Sequence, residues 1–115
     1  MRKKIIIVLG EPNSISSEIF LKSLDNIKKT KLNFIIIGNY SLLKKQAKYL
    51  NLKLNISFNF ANINNLNNNQ FNFINIEYNQ VKAFDFKSPK TDIFIKKCFK
   101  YAIMIIKKKS SRWDY

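Results

Sequence analysis

The 115-residue chain carries 46% hydrophobic and 14% aromatic residues and a formal net charge of +14. That length and apolar content suit one packed domain and are too rich in core-forming residues for a disordered chain. It has no histidine and a single cysteine, Cys98, which excludes a disulfide framework, a His/Cys zinc site and any Ser-His or Cys-His catalytic unit within these residues.

Residues 4–9 (Lys-Ile-Ile-Ile-Val-Leu) form a β-branched run without alternation, the pattern of a strand buried on both faces of a parallel sheet. A turn cluster follows, Gly10-Glu11-Pro12-Asn13-Ser14. Ile15, Ile19, Phe20, Leu24 and Ile27 are then spaced to share one helical face. Asn13 or Ser14 is positioned to cap the first turn, and Glu18 suits its positive end. Residues 33–37 (Asn-Phe-Ile-Ile-Ile) give a second buried strand, closed by Gly38-Asn39. Ser41 is the expected cap of a short helix carrying Leu42, Leu43, Ala47 and Leu50. A third strand is expected at Leu54 to Phe58, an Asn-rich loop at 59–70, and a fourth strand at Phe71 to Tyr78. Ser88-Pro89 marks a helix start, with Ser88 as cap and Pro89 in the first turn. Phe94, Cys98, Tyr101, Ala102 and Ile105 share a face of that helix, which makes Cys98 a core residue rather than a nucleophile. The helix is expected to end near Lys108, where Lys107 to Lys109 suit its negative end. The alternation of strands and helices predicts an α/β domain with right-handed parallel crossovers.

After that helix the pattern calls for a strand. Ser110-Ser111-Arg112-Trp113-Asp114-Tyr115 is a largely polar stretch instead. Written in AT-rich codons, this tail read one base later gives Val-Asp-Gly-Ile, a strand start; the Gly is forced because Trp has one codon and Asp codons begin with G. Residues 1–109 therefore read as the domain, and 110–115 as an aberrant tail produced by a frameshift in the Lys107 to Lys109 codons.

The charge is a weak guide to partners. Its cations are nearly all Lys, with Arg2 and Arg112 as the Arg residues, whereas bidentate phosphate and base recognition favours Arg. Ile, Asn, Lys and Phe, which have AT-rich codons, dominate the chain, so base composition accounts for much of the balance. The Lys residues are dispersed rather than gathered with aromatics. They predict a solvated surface that holds polyanions loosely and releases them in salt, with no specific nucleic-acid partner. No apolar run approaches the ~20 residues of a membrane span, and Ile5 to Leu9 is shorter than the roughly 7–15 residues of a signal-peptide core. A cytoplasmic protein without membrane contact is expected.

Gly10-Glu11-Pro12-Asn13-Ser14-Ile15-Ser16-Ser17-Glu18, between a buried strand and a helix, resembles the opening motif of the 4-hydroxythreonine-4-phosphate dehydrogenase family of pyridoxine biosynthesis. That motif reads approximately Gly-Glu/Asp-Pro-Ala-Gly-Ile-Gly-Pro-Glu, and Gly10, Glu11, Pro12, Ile15 and Glu18 match it. Ser14, Ser16 and Ser17 replace two glycines and a proline. The resemblance extends over residues 4–109, roughly the first third of a family member. It implies part of an isocitrate/isopropylmalate dehydrogenase-like α/β domain, with a mostly parallel sheet flanked by helices. It also implies an oxidoreductase that uses NAD and a divalent metal (zinc, magnesium or cobalt) to oxidise a phosphorylated hydroxy-amino acid, with decarboxylation following. Family members are homodimers whose metal is held by three histidines. A chain without His lacks those ligands, so no catalytic residue and no metal ligand is assigned here, and these residues are expected to be inactive alone. By analogy with related dehydrogenases, Gly10, Glu11, Pro12, Asn13 and Ser14 would border the cofactor cleft. The competing readings are a small stand-alone α/β module binding an anion at the helix N-terminus after Ser14, and a basic nucleic-acid binder.

Overall fold

The computed structural model describes residues 4–13, 16–30, 32–66, 70–85 and 88–112. Their elements run β1 (Lys4–Val8), α1 (Ser16–Lys29), β2 (Asn33–Gly38), α2 (Tyr40–Tyr49), β3 (Asn59–Phe60), β4 (Phe71–Asn75) and α3 (Pro89–Arg112). The four strands form one sheet in the order β1-β2-β4-β3, and every pair is parallel. This is the α/β class the sequence pattern calls for, and it is consistent with part of a dehydrogenase-like domain.

The sheet separates two apolar clusters. On one face Phe34, Ile36, Phe71 and Phe73 meet Phe20, Leu21 and Leu24 of α1 and Leu43 and Ala47 of α2. On the other, Ile35, Ile37, Ile74 and Ile76 meet Phe94, Cys98, Ala102 and Ile105 of α3. β2 is buried along its whole length, because both its neighbours and both its faces are covered. Burying Ile or Phe fully stabilises by about 1.5–3 kcal/mol per side chain, so Ile35, Ile36, Ile37 and Phe73, all wholly buried, anchor the domain.

Local signals set most boundaries. Ser88 and Pro89 open α3 as expected. The Ser88 N–H donates to Thr91 Oγ1 (3.2 Å) and the Ser88 carbonyl accepts from Thr91 N (3.0 Å), a reciprocal cap. The cap of α2 lies two residues before the expected Ser41, which falls inside the first turn of the helix. Its cap is Asn39, whose Oδ1 accepts from Leu42 N (2.9 Å); the shorter reach of a Ser at 41 is not used. α2 closes at Leu50, followed by Asn51 with φ 56°, the left-handed position that ends many helices.

Several expectations are corrected. β1 is not buried on both faces: it is the outer strand, only half-covered, and Ile5 is exposed. Ile19 lies exposed on α1, where Leu21 is buried in its stead. The third strand is not Leu54 to Phe58 but Asn59–Phe60, inside the tract expected to be loop. Leu52, Leu54, Ile56 and Phe58 still pack on the core, alternating with exposed neighbours. β4 ends at Asn75 rather than Tyr78, although Ile76 N still donates to Gly38 O (2.7 Å). α3 continues past Lys108 to Arg112. The expected roles of Ser14 and Ile15, and Trp113 to Tyr115 of the tail, lie outside the described residues.

Candidate functional site

In parallel α/β sheets, ligands bind beyond the carboxyl ends of the strands. At that end the loop after β1 carries Gly10 to Asn13, the end of β2 carries Gly38 with Asn39 following, and the segment after β4 carries Ile76 to Asp85. The candidate site is therefore built from three loops.

Gly10 has φ +67°, and a Cβ placed there would meet no heavy atom nearer than 3.9 Å. The turn requires glycine for its backbone, and space beside it is open. Glu11 Oε1 accepts from Asn13 N at 3.1 Å, so its carboxylate braces the turn. Pro12 is buried, and its carbonyl accepts from Gln46 Nε2 of α2 at 2.6 Å. The same Nε2 donates to Ala83 O at 2.9 Å. Gln46 thus ties the first loop to the third from beneath.

Asn13 does not cap α1. Its Oδ1 accepts from Gln80 Nε2 (2.8 Å) and from Asp85 N (3.0 Å). Its Nδ2 is buried and has no acceptor among the described residues. Gln80 accepts at Oε1 from Tyr78 OH (3.0 Å), and that hydroxyl also lies 3.0 Å from Thr91 Oγ1 of α3. The polar chain from Asn13 to Thr91 joins the β1 loop to the start of α3. A buried amide donor left without a partner costs about 1–3 kcal/mol.

Asn39 locks the second loop. Its Nδ2 donates to Ile76 O (2.8 Å) while its Oδ1 caps α2, and Asn75 Oδ1 accepts from Tyr40 N (2.8 Å). Of the five residues expected at the cleft, Gly10, Glu11, Pro12 and Asn13 lie together here, and Ser14 falls outside the described residues. Gln46, Gln80, Asn39 and Asn75 were not singled out from the sequence. Gln46 alone left a signal: it is the polar residue on the Leu42, Leu43, Ala47 face of α2.

Among the described residues no three His, Cys, Asp or Glu side chains converge to hold a metal, and the chain has no His, so these residues do not fit a three-histidine metal site. Cys98 is buried in the α3 cluster, and burial pushes its thiol up to about 12, the opposite of a nucleophile's activation. Among the described residues no helix is long and apolar enough to cross a membrane.

No protein-family model matches the chain. A segment of 53 residues is 40% identical to a 4-hydroxythreonine-4-phosphate dehydrogenase of Sulfurihydrogenibium sp. (strain YO3AOP1), covering 46% of this chain and 16% of that relative. The chain thus has a distant, partial relation to that dehydrogenase and spans well under half its length.

Proposed function

We propose that this chain is the amino-terminal part of an NAD-dependent oxidoreductase like the 4-hydroxythreonine-4-phosphate dehydrogenases, acting on a phosphorylated hydroxy acid. The 40% identity over 53 residues to such an enzyme carries the reading. The loop Gly10–Ser14 would border the dinucleotide cleft. Open backbone at Gly10 and the unused buried donor of Asn13 fit a loop that receives part of a cofactor. NAD, when bound, would accept hydride from the substrate. In this chain Gly10 would keep the backbone approachable, Asn13 Nδ2 would supply a donor, and Gln46 would hold both in position. The metal ligands and the substrate-phosphate contacts would come from polypeptide beyond these residues, as would the surface for a homodimer.

Two assays test the reading. The purified chain should give no NAD reduction with phosphorylated hydroxythreonine and added zinc, magnesium or cobalt; turnover would mean that the missing groups are not missing. Residues 4–109, grafted in place of the corresponding segment of the Sulfurihydrogenibium enzyme, should yield a folded chimera that reduces NAD. A folded but inactive chimera overturns the proposal.

A further inference from the structure

We propose that the outward face of α3 docks on an anionic lipid surface, with the helix lying flat in the headgroup layer. This rests on the surface of α3 and is independent of the oxidoreductase reading.

The first ground is what the helix gathers. Phe94, Cys98, Ala102 and Ile105 are buried against the sheet and fix the inner side of α3. At about 100° per residue, the side directly opposite carries Ile93, Lys96, Lys100, Ile103, Met104 and Lys107 in a sector roughly 100° wide. All six are exposed, Ile93 by 66%, Ile103 by 51% and Met104 by 44%. From Ile93 to Lys107 the sector is about 21 Å long. In chain order the lysines are dispersed. Wound into α3, they alternate with large apolar side chains on one surface that points away from the sheet.

Charge supplies the second ground. Asp92 is the one acidic residue of α3, against Lys90, Lys96, Lys97, Lys100, Lys107 and Lys108. Among the described residues none of Lys96, Lys100 and Lys107 is held in an ion pair. The face is complementary to an anionic surface. A second copy of the chain is a poor occupant, because each copy carries a formal net charge of +14 and like charge opposes association.

Composition separates lipid from other polyanions, and this is the third ground. The centres of protein interfaces are depleted in Lys and lean on aromatic residues and Arg; this sector has Lys at its centre and neither of those. Nucleic-acid binding rewards Arg and stacking rings and gains nothing from Ile93, Ile103 or Met104. A headgroup layer uses both kinds of side chain at once. Lysine stems lie along the apolar boundary with their ammonium groups at the phosphates, while Ile and Met side chains enter the acyl boundary. No helix among the described residues is long and apolar enough to cross a membrane, so α3 would lie in the plane of the surface. Each Lys held near an anionic leaflet strengthens binding about fivefold, so three amount to about a hundredfold.

The test sediments the 115-residue chain with vesicles of phosphatidylcholine alone and with vesicles of equal parts phosphatidylcholine and phosphatidylglycerol. The chain should bind the mixed vesicles and not the neutral ones. Diffuse attraction of a basic protein gives that much, so variants decide. Lys96→Gln, Lys100→Gln and Lys107→Gln together should weaken binding about thirtyfold or more. Lys29→Gln, Lys48→Gln and Lys53→Gln together remove the same charge elsewhere, Lys29 and Lys48 belonging to the helices of the other face. That set should weaken binding less than about threefold, since its charges lie beyond a Debye length from the surface. Ile93→Ser with Ile103→Ser leaves the charge unchanged and should weaken binding about tenfold or more. The substituted side chains are all exposed, so the melting transition should persist. Should the double serine variant fail to fold, Met104→Gln gives the same readout, about threefold. No binding to the mixed vesicles, equal losses from the two lysine sets, or binding indifferent to the apolar substitutions would each overturn the proposal. So would tighter capture by polyglutamate, which would assign the face to an acidic protein, or by single-stranded DNA, which would assign it to a nucleic acid. Loss of activity in the grafted chimera leaves these outcomes unaltered.

Discussion

The side-chain amide of Gln46 bridges two loops, donating through one nitrogen to Pro12 O at 2.6 Å and Ala83 O at 2.9 Å. It does so from the buried face of α2, only 1% exposed. A polar side chain in that setting is retained for its partners, since stranding the buried Pro12 carbonyl costs desolvation with no return.

Gln46→Leu keeps the volume and removes the donor. It should lower unfolding stability by about 1–3 kcal/mol, read by urea denaturation. It should also raise exchange of the Asn13 and Asp85 amides well before global unfolding, because the loops lose their common tether. A variant with unchanged amide exchange would mean that the loops hold themselves.

Gly38 and Leu9 make a tighter pair. A Cβ on Gly38 would fall 2.6 Å from Leu9 Cδ1 and 3.2 Å from its Cβ, so the end of β2 must be glycine for space. Gly38→Ala should destabilise by about 1–3 kcal/mol through overpacking. Leu9→Ala, which opens a core cavity, should cost about 2–5 kcal/mol. Combining the two should cost less than their sum, by about 0.5–3 kcal/mol, because the new methyl enters space that Leu9 vacates. Strict additivity in denaturant titrations would show that the two sites do not share that space.

The Asn39 side chain serves two elements at once, capping α2 and pairing with Ile76 O. Asn39→Asp preserves the cap, with a carboxylate at the positive helix end, but loses the donor to Ile76. Asn39→Ala loses both. The alanine variant should fall by about 1–3 kcal/mol and the aspartate variant by less, in thermal melts at neutral pH. Equal losses would assign the whole contribution to the bond with Ile76.

The residues that could be read in advance are those whose signals are local or unbroken. Phe34 to Ile37 is an unbroken apolar run, and it is buried on both faces as such runs demand. Ser88-Pro89 opens α3 because cap chemistry is local. Ile5 to Val8 carries the same signature as β2 yet lies half-exposed at the edge of the sheet, because a run's composition does not say which strand is outermost. Leu52 to Phe58 alternates as a strand should and buries the expected side, but ladder pairing is a long-range matter and falls instead on Asn59 and Phe60. Asn39 displaced Ser41 as cap because its longer side chain serves both α2 and Ile76, just past β4. At the site, Gly10 to Asn13 were legible as turn chemistry. Gln80 was not, because nothing local distinguishes a glutamine that reaches Asn13 from one that faces water.

Cys98 gives the alkaline behaviour of the fold. Its thiol is wholly buried among Ile35, Ile37, Phe94 and Ala102, and burial raises its ionisation from 9.0 to about 12. The unfolded chain, with its exposed thiol, ionises near the lower value; the native chain does not. Between those values the native state binds more protons than the unfolded state, so stability from this group is intact below about pH 9 and declines as pH rises. The slope can reach about 1.36 kcal/mol per pH unit. Cys98→Ala should lower stability at pH 7 through the lost sulfur, yet its stability should fall less between pH 9 and pH 11 than that of the native chain. A thiol reagent at pH 8 should modify the folded protein only as fast as it unfolds, and in denaturant at once. Parallel pH profiles for the two proteins, or rapid labelling of the folded chain, would mean that Cys98 reaches solvent without unfolding and that α3 opens as a unit from the sheet.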